Sequence, residues 1–244
     1  MDTTATAAGS APASKGLLAR FIGIIVSPKD TFVDVVRAPK WFTLLAISAI
    51  LIAFFAALPM TTDAGRQAAI DQQVQQRKAF GVETDDAQYA QIERMSKIMP
   101  YVTAVSVLVM SPIMVMVIGG ILFAIFNAGL GGEASFKQML AVVVHAGVIS
   151  TVSAVFSGII NYFRGAVGSV ATLGALLPML PEKSFLASFL GAIDVFLIWW
   201  IVVLAMGVAV LYRRRTQPIA ISLLAVYGVI AIVIAVVKSR VGGA

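Results

Sequence analysis

The chain has 244 residues, 59% of them hydrophobic and only 12% charged, with a mean hydropathy of +0.94. Soluble domains carry about 25% charged residues, so this balance excludes a water-soluble enzyme domain as the bulk of the protein. The net charge of +6 comes from basic residues at the ends of apolar runs, a pattern suited to anionic headgroups rather than nucleic acid; the absence of cysteine excludes disulfides, thiolate metal ligands and a cysteine nucleophile.

Residues 1–16 (MDTTATAAGSAPASKG) are small and polar, lack a signal-peptide pattern, and read as a disordered tail. Leu17, Leu18, Phe21, Ile22 and Ile25 then recur on one helical face, with Lys15, Arg20 and Gly23 off it. Ser27-Pro28-Lys29-Asp30 reads as a second helix start: Ser27 as cap, Pro28 at the first helical position, Asp30 as the capping acid. Pro39 ends that helix. Two amphipathic helices over residues 17–40 are expected at the membrane interface, with Leu17, Phe21 and Ile25 touching lipid or a partner.

Five apolar runs follow, each near the ~20 residues a spanning helix needs: 41–59, 101–126, 139–160, 189–211 and 218–237. Between the first two, residues 60–100 carry eleven charges. Ile70, Val74 and Phe80 can line one face, Gly81 can stop a helix, Asp85 with Gln88 resembles a capping box, and Glu93 with Lys97 makes an i, i+4 pair; a helical hairpin outside the membrane is predicted. In the second span Ser111-Pro112 frees a backbone carbonyl and predicts a kink. Ala49, Ala53 and Ala57 in the first span, and Ala146, Ser150, Ala154 and Gly158 in the third, recur at four-residue spacing, which lets backbones approach closely in lipid. Residues 161–187 are too rich in Gly and Pro for a span and read as a surface-lying or re-entrant segment.

Read together, the chain is an all-α polytopic membrane helix bundle: five transmembrane helices, N-terminal amphipathic helices and an extramembrane helical hairpin. The Lys and Arg residues divide evenly between the two faces, nine against nine. Arg213, Arg214 and Arg215, however, crowd one short turn between two spans, which favours a cytoplasmic N-terminus and a C-terminus on the opposite side.

The segments Ile25-Val26-Ser27-Pro28-Lys29-Asp30-Thr31-Phe32, Pro39-Lys40-Trp41, Gly131-Gly132-Glu133-Ala134-Ser135-Phe136-Lys137-Gln138 and Ala192-Ile193-Asp194-Val195-Phe196 with Trp199 and Gly207 stand in an order that resembles the Yip family. These are the Ypt/Rab-interacting five-span membrane proteins, and the likeness is to bacterial members. The resemblance covers roughly residues 20–235. It implies five spans, a cytoplasmic N-terminus, no known catalytic activity and, for a bacterial member, the cell (inner) membrane. The chain departs from eukaryotic members: their acidic–tyrosine–glycine–proline motif is only loosely echoed between Asp34 and Pro39, and His145-Ala146-Gly147 stands near the place of their tyrosine-rich motif. Binding of a Rab-type GTPase is therefore not carried over.

His145 and Asp194 are the ionisable residues expected at membrane depth, where charge is costly and functional by default. Counting helical rise from the span ends puts them roughly 13 Å apart in depth, too far for a dyad. Asp194 is expected to cap its helix or pair with Arg164, and a neutral His145 to hydrogen-bond across the bundle. Arg213, Arg214 and Arg215 are expected to contact headgroups or a partner. No catalytic constellation, cofactor motif or metal-ligand spacing is present in the sequence. The function expected is that of a non-enzymatic scaffold, membrane-organising or trafficking-type factor, contacting the bilayer and other membrane proteins or its own copies. The alternative is a small-solute or ion pathway lined by Pro112, His145 and Asp194.

Overall fold

A computed structural model describes residues 15–79, 81–175 and 184–241. Most of the proposed tail, Phe80, the middle of the 161–187 segment and the extreme C-terminus lie outside the described residues. Helices account for nearly everything described, confirming the all-α polytopic bundle.

Helices α1 (Leu17–Val26) and α2 (Pro28–Arg37) form the predicted pair. Pro28 sits in the first turn, where a missing N–H costs nothing. Ser27 does not cap the backbone; its hydroxyl donates to Asp30 at 2.6 Å. Gly23 lets the two helices touch, since a Cβ there would collide with the Thr31 side chain.

The first span is α3 (Phe42–Ala57), extended by a 3₁₀ turn over Leu58–Thr61. Ala49, Ala53 and Ala57 are all buried. They lie where α3 meets α8 (Val148–Arg164), at whose Gly158 an added Cβ would strike the Phe55 carbonyl. The small-residue stripes thus do what such stripes do in lipid: they bring two backbones together. Ser150, by contrast, is exposed.

The hairpin forms as α4 (Asp63–Ala79) and α5 (Asp86–Ser96). Gly81 takes a positive φ of 73°, and the N–H of Val82 reaches back to the Arg77 carbonyl at 3.0 Å, a C-terminal motif that needs a left-handed residue. Asp85 accepts from the Gln88 N–H at 2.7 Å. Ile70 and Ile92 are buried between the helices and the bundle. Glu93 and Lys97 are not among the ion pairs of the described residues.

The second span, α6 (Met99–Phe123), runs unbroken past Pro112 into a π turn over Ala124–Gly129. Its outer face is apolar and open: Val105, Val109 and Ile121 are all more than half exposed. On a water-soluble protein such a surface would drive aggregation; lipid solvates it. The third span bends between α7 (Phe136–Ala146) and α8 at Gly147. Ser135 and Gln138 close a reciprocal capping box that starts α7.

The fourth predicted span differs from its expected bounds. The run from 189 to 211 is divided into a short α9 (Phe185–Gly191) and α10 (Val195–Leu211). Asp194 breaks it, because its side chain accepts from the N–H groups of Phe196 and Leu197 and so begins a new helix. The 17 residues of α10 rise ~25 Å, within the lower end of spanning length. The longer membrane-length helices are Phe42–Thr61, Met99–Gly129, Phe136–Arg164 and Thr216–Val237. The last belongs to α11 (Thr216–Val241).

Helix α10 is the centre of the bundle. Ile201, Val203, Leu204, Ala205, Val208 and Ala209 are buried on it, and α2, α7, α8 and α11 pack around it. A helix apolar on every side is stable only when enclosed, and this one is enclosed by protein more than by lipid.

Candidate functional site

Two groups of loops define the ends of the bundle. At one end Gln138 donates to the Val36 carbonyl at 3.2 Å, and Arg214 donates to the Leu130 carbonyl at 3.1 Å. Tyr212 donates to the Asn127 side chain and stacks on Phe126, with centroids 5.0 Å apart. These contacts gather α2, the 130–135 loop and the α10–α11 turn on one face. The opposite end holds the α4–α5 hairpin and the 165–175 loop, where Gly165 stands against Ala64.

The first of these ends carries the densest chemistry. Arg20, on α1, is 3% exposed. Its Nε donates to Asp34 at 2.9 Å and its Nη1 to the Ala38 carbonyl at 3.0 Å. The second Asp34 oxygen accepts from Arg37 at 3.1 Å, and the Lys15 N–H adds a further bond at 3.2 Å. Burial pushes the Asp34 carboxyl up, but the Arg37 bond, the nearby Arg20 charge and the Arg20 bond outweigh it and hold it below the ordinary carboxylate value. Arg20 Nη2 is buried with no partner. The sequence puts Arg20 off the apolar face of α1; only its pairing with Asp34, on the next helix, draws it inside.

That pairing also resets the exposed face of α1. Leu17 is 37% exposed, and Phe21 and Ile25 pack partly against the core. The open apolar stripe is instead Leu18, Ile22 and Val26, spaced i, i+4, i+8. On α2, Phe32 is wholly buried against α10. A Cβ at Gly207 would stand 2.7 Å from Val142 Cγ1 and 2.8 Å from Phe32 Cε1, so the ring occupies space that only glycine leaves free.

His145 is 1% exposed. Its Nδ1 lies 2.7 Å from the Ala141 carbonyl, one turn back on its own helix rather than across the bundle; a carbonyl only accepts, so Nδ1 carries the proton and, in the neutral ring, Nε2 is the acceptor. The residue lines a cavity of about 330 Å³ with Arg20, Lys40, Thr43 and Leu44. Asp194 lines a different cavity, of about 370 Å³, with Gln72, Ser150, Ser153, Ser157 and Asn161. Pro112 lines neither. The structure therefore does not join Pro112, His145 and Asp194 into one path.

Asp194 also does not pair with Arg164. Its oxygens take Ser169 and the α10 N–H groups, Arg164 is exposed, and no ion pair joins the two among the described residues. The Tyr227 hydroxyl accepts from the Asp194 N–H at 2.9 Å and donates to the Ala192 carbonyl at 2.7 Å, tying the start of α10 to α11. Arg213, Arg214 and Arg215 are exposed in their turn, and Arg213 takes a left-handed φ of 52°. No group of His, Asp and Glu able to hold a metal ion occurs among the described residues.

No curated protein and no solved structure matches the chain. The family model for the Yip1 domain matches residues 22–237, nearly its whole length, and the Yip1 family is not a known enzyme family. The match takes in the second half of α1, all of α2, the capping box of α7, the Asp194 helix start and Gly207. This chain is a multi-pass membrane protein, and it belongs to the Yip1 domain family.

Proposed function

We propose that this protein acts by contact rather than catalysis, as a scaffold or membrane-organising factor of the Yip class. The observation that supports this is the α1–α2 platform. A buried ion pair locks α1 to α2 and the Phe32–Gly207 fit seats α2 on α10, while Leu18, Ile22 and Val26 face outward. The Arg213–Arg215 turn shares the same end. Such a platform presents a fixed surface to lipid and to a second membrane protein or copy, with α10 spanning as a fifth membrane helix and the N-terminus cytoplasmic. Photo-crosslinkers at Val33, Leu130 and Arg213, on this end, are expected to trap a protein partner in native membranes. Equal labelling from Tyr101, on the lipid-facing α6, would remove the platform's claim.

The second reading, a solute path, rests on the serine-lined crevice. Ser150, Ser153, Ser157 and Asn161 recur at i, i+3, i+7 and i+11 on α8 and open into one cavity. Flux of a polar solute into proteoliposomes, abolished by Ser153→Leu with Ser157→Leu, would support it. Unchanged permeability would dismiss it.

A further inference from the structure

The Arg20 guanidinium has five N–H donors. Asp34 takes one and the Ala38 carbonyl another, and Nη2 has no partner at all. A buried donor left unmade is costly, and Arg20 forms part of the wall of a cavity of about 330 Å³. The rest of that wall adds cation and hydroxyl rather than carboxylate: Lys40 and Thr43 at the rim, His145 at the base, Leu17 and Leu44 on the sides. The local charge is not balanced. Asp34 is shared between Arg20 and Arg37, so one carboxylate faces two guanidinium groups, with Lys40 and Lys15 beside them.

We infer that this cavity is a binding site for a phosphate group. Arginine with free donors and a lysine head is the donor set that phosphate oxygens select, because charge-assisted bonds are short and strong and the fork matches the oxygens. The position favours a phospholipid headgroup as the source. Lys40 and Trp41 immediately precede the span that starts at Phe42, the place where headgroups meet a helix end. The flanking surface is apolar: Phe42 is 71% and Leu18 69% exposed, and both can receive acyl chains while the phosphate enters between α1 and α3.

The test uses the full-length protein in detergent. Bound lipid is counted by native mass spectrometry after exposure to phosphatidylglycerol or phosphatidylcholine, and unfolding is followed by tryptophan fluorescence with and without inorganic phosphate. Lys40→Glu reverses a rim charge, and Thr43→Phe fills the cavity without changing charge; both residues are exposed, so the fold is retained. Arg164→Glu makes the same charge change at the opposite end. The wild type and Arg164→Glu are expected to retain phosphatidylglycerol in preference to phosphatidylcholine, and the two cavity variants to bind it ~10-fold more weakly. If instead inorganic phosphate stabilises the wild type but not Thr43→Phe, while lipid retention is the same in all variants, the site stands and its phosphate comes from solution. Cavity variants that match the wild type in both measurements, or a loss as large in Arg164→Glu, would overturn the inference.

Discussion

Asp34 is the residue on which the N-terminal platform turns. Arg20 is buried and cannot recover its hydration if the carboxylate is removed, so Asp34→Ala leaves an uncompensated internal charge. A cost of about 3–5 kcal/mol is expected for breaking a buried pair in this way. Arg20→Met removes the charge and its desolvation together and should cost less. Protease release of the α1–α2 segment from the detergent-solubilised protein measures both. The pH dependence has a definite sign. The Asp34 carboxyl is held below its unfolded value, so its contribution is fully present above about 3.9. It is lost as pH falls through the lower folded value. Release of the segment should therefore begin only below about pH 3.9, and Asp34→Ala should abolish that step. Gly207 is the complementary case. Gly207→Ala places a methyl against Val142 and Phe32, an overpacking expected to cost about 1–3 kcal/mol. The cost should shrink in a Phe32→Leu background, read as a coupling in a double-mutant cycle of unfolding temperatures.

Among the elements, α1 and α10 differ most from their sequence patterns. The apolar residues of α1 cover more than half its circumference, so periodicity alone could not choose which part faces lipid. The ion pair makes the choice by pulling Arg20 inward, and Ile24 follows on the next turn at 0% exposure. Because the chain has no cysteine, single cysteines report each position cleanly. Cysteines at Leu18, Ile22 and Val26 in the reconstituted protein should react slowly with a water-soluble maleimide, and one at Lys29 quickly. Fast reaction along the whole stripe would place α1 in water. For α10, the apolar run from 189 to 211 conceals a helix start at Asp194, because hydropathy counts one aspartate as a small interruption whereas two backbone N–H groups gain a partner from it. Asp194→Ala should cost about 1 kcal/mol, as loss of a cap does, and Asp194→Asn should cost less. A loss as large with asparagine would mean that charge, rather than capping, sets the residue.

For the whole molecule, orientation follows from which end carries the basic cluster. The Arg213–Arg215 turn lies with α1–α2 and the 130–135 loop, and the charged hairpin lies at the other end. Such a cluster in a short loop resists translocation. An alkaline phosphatase fusion after Ala244 is expected to be active, and one at Thr216 inactive. The reverse pattern would invert the protein, and equal activity at both would mean that α11 does not span. Replacing the three arginines by glutamine should weaken the difference.

The sequence by itself determined the solvent, the class and most helix positions. Apolar runs of bilayer length, the small-residue stripes of α3 and α8, Pro28, Gly81 and Asp85 act through local backbone chemistry or through lipid, and both are written residue by residue. Tertiary structure decided the partners. That Arg20 is internal, that Phe32 fills the space beside Gly207, that His145 opens beside Lys40: each depends on a contact between segments distant in the chain. In a nearly uncharged sequence almost every apolar face is suitable for either lipid or protein. Hydropathy cannot separate the two, because lipid tails and leucine side chains are equally apolar solvents; only packing, and the few polar groups that must find one another, can.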